Sequence, residues 1–210
     1  MNDTPKETQA EKNQAEENKP ERPLPQIHAT RLRDPSNLFQ IEQIDLEFSN
    51  GARRTYERMM SSGLGAVIIV PMLDDDTVLL VREYAVGLHH YEIGLPKGRL
   101  EAGESILEGA QRELKEEIGY GARDLRELTK LSLAPGYMTH VTRVVLARDL
   151  YAEKLQGDEP EELEVIPWPI HDLLPITARD DCTEGRSIAA LYIARDYLAA
   201  EKAKRSEEFL

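Results

Sequence analysis

Apolar residues first alternate with polar ones, then gather into continuous runs, and this change of rhythm divides the chain. Ile44, Leu46 and Phe48 alternate with polar residues and lead into Ser49-Asn-Gly51, a hairpin turn signal. Residues 53–59 return as the partner strand, with Arg54, Tyr56 and Arg58 on one face. The spacing predicts an antiparallel unit over 37–60, with order beginning near Arg31. Its arginines read two ways, as solvated charges on an amphipathic hairpin or as basic groups offered to an anion.

Ala66-Val-Ile-Ile-Val70 is apolar throughout, as expected of a strand covered on both faces. Further strands are predicted over 77–81, 91–94, 128–133, 140–147 and 165–168, with Asp74-Asp-Asp76 as a solvated turn. Helical spacing appears twice. Ser105-Ile-Leu-Glu108 has the form of a capping box, and Gly119 and Gly121 supply the stop. Between them Leu107, Ala110, Leu114 and Ile118 form a core-facing flank. A second helix is predicted over 187–202, with Ile188, Leu191, Tyr192, Arg195 and Leu198 inward. Strands mixed with two or three helices predict an α/β fold, a helix–sheet–helix sandwich preceded by an antiparallel β-hairpin subdomain.

Composition changes this picture at the ends. Residues 1–26 hold almost nothing apolar and read as a disordered tail, leaving 27–62 as the hairpin region and 63–205 as the main domain. The net charge is −13, of which the tail supplies only −2 (four Lys/Arg against six Asp/Glu), so −11 belongs to the rest. A field of that sign disfavours nucleic acid and anionic membranes as partners. No apolar run approaches the roughly 18 residues that cross a bilayer. The single cysteine, Cys182, excludes an intrachain disulfide and suits a reducing cytoplasm.

The candidate chemistry lies on the first helix. Glu113, Glu116 and Glu117 stand at i, i+3 and i+4, so three like charges share one flank. They read either as a solvated acidic face or as a site for a hard divalent ion, magnesium or manganese. Gly98 and Gly103 allow close backbone approach in the preceding loop, Glu104 adds a carboxylate, and Arg112 can hold one by a bidentate pair. Lys97, Arg54, Arg58 and Arg82 are cations able to clamp phosphates. A base for an attacking water is sought in the acidic loop, among Glu159, Glu161 and Glu162. His89, His90, Tyr84 and Tyr137 read either as base-contacting groups or as ordinary surface and core residues, and Trp168 as core.

Gly98, five residues, Glu104, seven residues, then Arg112-Glu-Leu-Lys-Glu-Glu-Ile-Gly-Tyr120 resembles the complete signature of the Nudix hydrolases. Nine positions are specified across 23 residues, and only Tyr120 departs, where a branched aliphatic is usual. Wider similarity, from about residue 30 to 200, is to the branch that cleaves ADP-sugars; it includes Asp45 to Gly51, Arg82 to Gly87 and Gly157 to Glu161. The resemblance implies the Nudix fold and hydrolysis of the diphosphate in ADP-ribose, NADH or diadenosine di- and triphosphate, releasing AMP. It implies one to three magnesium or manganese ions held by Glu113, Glu116, Glu117 and the Lys97 carbonyl. It also implies Glu161 as first choice of loop glutamate, Arg54 near the substrate, and a homodimer built through the hairpin region. Two departures keep alternatives open. The branch often has arginine where Ala85 stands, and Pro96-Lys97-Gly98 reads like dinucleoside polyphosphate hydrolases. Those enzymes, other nucleoside diphosphate hydrolases and a non-catalytic nucleotide sensor are the competing expectations.

Overall fold

The structure, a computed structural model, describes residues 26–33, 40–61 and 63–208. The tail expected over 1–26 lies outside the described residues but for Gln26. Order is seen earlier than near Arg31, because β1 (Gln26–Arg33) pairs antiparallel with β2 (Gln40–Glu47), which pairs with β3 (Arg53–Met60). The N-terminal unit therefore contains the expected antiparallel hairpin, β2–β3, extended by β1 into a three-stranded sheet. Its turn is closed by the Asn50 side chain, which accepts the Ala52 N–H at 3.0 Å, with Gly51 in the left-handed region at φ 79°. The sheet joins the body through main-chain bonds, Met59 N–H to the Tyr137 carbonyl (2.7 Å) and Thr139 N–H to the Met59 carbonyl (3.0 Å).

The body is built on β4 (Ala66–Pro71), buried at every residue. It lies in a mixed sheet of order β7-β4-β9-β8, antiparallel to β7 (Lys97–Arg99) and parallel to β9 (Val141–Ala152), with β8 (Tyr120–Ser132) antiparallel at the edge. A second antiparallel sheet has the order β10-β5-β6, from β10 (Glu164–Pro169), β5 (Thr77–Ala85) and β6 (His90–Gly94). Strand alternation then sorts the core. Val67 and Ile69 pack with Ala110, Leu114 and Ile118 around α1 (Ile106–Glu117). Ile68 and Val70 pack with Ala190, Leu191 and Ala194 of the long C-terminal helix, α3 (Gly185–Glu208). The expected helix–sheet–helix sandwich follows directly from this parity, since each face of β4 must be covered.

Several local expectations shift. Leu107 is 40% exposed rather than core-facing. The strand expected at 128–133 begins at Tyr120, straight out of the helix, and the short α2 (Leu174–Thr177) and β7 had no sequence expectation. Trp168 is only partly buried and donates its indole N–H to the Asp172 carbonyl at 2.7 Å. Among the described residues no helix is long and apolar enough to cross a membrane.

Candidate active site

The site is assembled where α1 meets β7. The capping box forms as expected: Ser105 Oγ accepts the Glu108 N–H, and Glu108 Oε2 accepts the Ser105 N–H at 2.9 Å. At the other end Gly119 takes a left-handed φ of 73°, and the chain after β9 returns to cap the helix. Glu153 N–H donates to the Gly119 carbonyl and Leu155 N–H to the Lys115 carbonyl, both at 3.0 Å. A helix fixed by a capping box at one end and by main-chain bonds at the other is a rigid platform for its carboxylates.

Arg112 organises them. Its guanidinium grips Glu104 through Nε (2.9 Å) and Nη2 (3.1 Å), and Nη1 reaches Glu113 (2.9 Å) and Glu116 (2.8 Å). Nη2 also donates to the Arg99 carbonyl at 3.0 Å, tying the helix to β7. The Glu104 hydrogen bond leads the rise in the Arg112 pKa and, reciprocally, the fall in that of Glu104. Gly98 is required by packing: a Cβ there would stand 1.9 Å from Glu113 Oε1. Gly103, by contrast, has open space around it and serves a turn at φ 86°.

Glu117 is the most deeply placed acid, 6% exposed, and accepts the Lys97 N–H at 3.3–3.4 Å. Burial, with the charges of Glu113 and Glu83 against the pull of Lys97, pushes its pKa up to about 9. Burial also raises that of Glu113, opposed by Arg112 and reinforced by Glu116 and Asp158. Buried carboxylates that repel one another favour any cation able to replace the proton.

The acidic loop folds over this cluster. Leu163 is buried against α1, and Gly157 lies beside Glu116, where an added Cβ would be 3.4 Å from the Glu116 Cβ. Partial desolvation, then the charges of Glu83 and Asp158, raise the pKa of the exposed Glu159 against the pull of Lys97. Glu161 instead accepts the Tyr91 hydroxyl, and Glu162 pairs with Lys154 at 3.1 Å. Glu159 thus lies in the field of Lys97 and Glu83.

The other expected cations are engaged elsewhere. Arg82 is bound by Glu164 and Asp181, both at 2.8 Å, and Arg58 by Glu42 at 2.6 Å. Arg54 donates to the Arg53 carbonyl at 2.7 Å. His90 begins β6 rather than lying in a loop, with Nε2 3.3 Å from Glu92; His89 Nδ1 bonds the Tyr84 hydroxyl at 2.6 Å. Tyr84 and Tyr137 are exposed, and Cys182 is a buried thiol. Glu83, paired with Lys97 Nζ, and Asp158 belong to the acidic neighbourhood and were not singled out by sequence.

Among the described residues, no three His, Cys, Asp or Glu side chains converge as they stand on a point that could hold a metal. Glu113 and Glu116 turn to Arg112, and Glu117 to the Lys97 N–H. The donor set nonetheless fits a hard divalent ion: oxygen-only, partly desolvated, and beside a backbone that Gly98 brings against Glu113.

The sandwich and this loop–helix site define the class: the chain belongs to the Nudix hydrolase family and is a pyrophosphohydrolase. The NUDIX domain model matches residues 64–186, and that of the NudE-type Nudix hydrolase N-terminal domain matches 25–58. Within the family, the chain is 49% identical over 166 residues to the ADP compounds hydrolase NudE of Escherichia coli K12, covering 79% of this chain and 89% of that protein. A crystal structure of an ADP compounds hydrolase superposes with a TM-score of 0.79 at 47% identity, covering 84% of this chain and 95% of that one. The ADP-ribose pyrophosphatase of Bacillus subtilis is 28% identical over 166 residues, 78% of this chain and 86% of that protein. Enzymes of this family generally need a divalent cation.

Proposed function

We propose that the protein hydrolyses the diphosphate linkage of ADP compounds, such as ADP-ribose, NADH and diadenosine di- or triphosphate, and releases AMP. The observation that carries this reading is the buried Glu113 locked against Gly98, with the buried Glu117 on the Lys97 N–H, in a chain 49% identical to an ADP compounds hydrolase. Hydrolysis of dinucleoside polyphosphates is the second reading, favoured by Lys97 beside Gly98.

Glu113, Glu116, Glu117 and the Lys97 carbonyl would hold one to three magnesium or manganese ions. Such ions neutralise the diphosphate and lower the pKa of bound water. Arg112 orients Glu113 and Glu116 and keeps them from repelling each other apart. Lys97 supplies a positive charge to the substrate phosphates, and Arg54, which pairs with no carboxylate among the described residues, a second. Glu159 takes the proton of the attacking water as the new P–O bond forms and the anhydride P–O bond breaks; its raised pKa makes it the better acceptor. Glu161 is the alternative base, reached by releasing Tyr91.

Residues 27–62 and 63–205 would act as dimerising and catalytic units. The exposed Ile27 and Tyr56, on one face of the N-terminal sheet, support docking of a second copy there. The single, buried Cys182 supports a cytoplasmic setting. The reading is tested by presenting ADP-ribose, NADH, NAD, diadenosine polyphosphates and nucleoside triphosphates with magnesium and analysing products for AMP. AMP from ADP-ribose and NADH is expected; cleavage of nucleoside triphosphates alone would overturn the substrate class.

A further inference from the structure

Lys97 is held from two directions. Its main-chain N–H donates to Glu117, while its ammonium pairs with Oε2 of Glu83, which projects from β5. Both side chains are shielded, at 25% and 31% exposure. Three carboxylates compete for this one ammonium, since its charge favours the ionised forms of Glu117 and Glu159 while Glu83 opposes both.

Which carboxylate wins matters. An ammonium seated on Glu117 would occupy a cation ligand, and one seated on Glu159 would neutralise a base. Seated on Glu83, it leaves both free and stays beside them. The placement of Glu83 also costs the fold something. In the β5–β6 ladder Glu83 lies directly opposite Glu92, a like-charge pairing that disfavours the sheet. Glu92 is turned to the Thr183 N–H (2.8 Å) and hydroxyl (3.0 Å), so it does not share the lysine.

We propose that Glu83 is a positioning residue that draws the Lys97 ammonium away from Glu117 and Glu159, keeping those carboxylates available to a divalent cation and to water. The lysine is thereby held at the edge of the site, where a diphosphate can recruit it. The inference rests on the hydrolase reading above, because it assigns Glu117 to the cation.

A double-mutant cycle on the full chain tests it, with Mn2+ binding followed by electron paramagnetic resonance in the absence of substrate. Glu83→Gln should weaken Mn2+ binding about tenfold, because the released lysine turns to the site carboxylates. Lys97→Met should bind Mn2+ at least as well as wild type, and adding Glu83→Gln to it should cause no further loss. An equal loss in both backgrounds, or no loss in either, overturns the proposal. Glu83→Ala, which also removes the carboxylate, replaces Glu83→Gln in the cycle if the latter unfolds the β5–β6 hairpin. Glu117→Gln is the separate control: Mn2+ bound to it as tightly as to wild type sinks the hydrolase site itself, whatever Glu83 does.

Discussion

Gly98 faces the carboxylate of Glu113 so closely that a Cβ on Gly98 would lie 1.9 Å from Oε1 and 2.0 Å from Cδ. Neither atom is the free end of an idle chain, because Arg112 holds Oε1 at 2.9 Å. We expect Gly98→Ala to displace Glu113 and lower hydrolysis at least about a hundredfold, the scale of a misplacement near 1 Å. The strand pairing of Gly98 with Val67 should survive, so circular dichroism should stay native. Near-normal activity in Gly98→Ala would contradict this role.

Arg112 should not tolerate lysine. Its fork serves Glu104 twice, Glu113, Glu116 and the Arg99 carbonyl, which a single ammonium cannot match in geometry. With Arg112 and its three carboxylate partners shielded, Arg112→Lys should cost about 2–4 kcal/mol in urea denaturation. A loss near zero would show that the network is ornamental.

How much of this was readable in the chain depends on distance in sequence. The capping box, the carboxylate flank and the doubly buried β4 rest on spacings of a few residues, and each appears where the pattern put it. Tyr120 to Glu127 offers no clean alternation, so the early start of β8 was hidden. It is fixed by pairing with β9, where Gly121 tucks beneath the Tyr151 ring. Leu107 had the helical phase of a core residue but lies at the exposed rim of the stripe. Arg82 looked like a free cation because Glu164 and Asp181 are remote in sequence. The Glu83–Lys97 pair, joining β5 to β7, was invisible for the same reason.

Arg82 joins β5 to β10 and to the segment before α3. Asp181 has its pKa held below the usual carboxylate range by Arg179 first and Arg82 second. A depressed carboxylate stabilises the fold above its unfolded pKa, and that stabilisation fades as pH falls through the acid range. Arg82→Gln should therefore cost about 1 kcal/mol at neutral pH, the scale of a partly exposed pair, and less in acid. A pH-independent difference in melting would contradict the ion pair.

Cys182 is 2% exposed, and burial, then the charges of Glu92 and Asp181, pushes its thiol up to about 11. The folded chain holds that proton more tightly than the unfolded chain, so this group lowers stability as pH rises from about 8.5 towards 11. At pH 8 a thiol reagent should label Cys182 only once denaturant opens the core. Rapid labelling of native protein would refute the burial.

Glu117→Gln, assayed for ADP-ribose hydrolysis and for Mn2+ binding alongside wild type, bears most directly on the acidic helix as a cation grip. We expect AMP from wild type with magnesium, and from the variant a loss of at least about a thousandfold with weakened Mn2+ binding. Its melting temperature should be equal or higher, since an amide relieves buried like-charge repulsion. Wild-type turnover by Glu117→Gln, or undiminished Mn2+ binding, would show that the cation sits elsewhere.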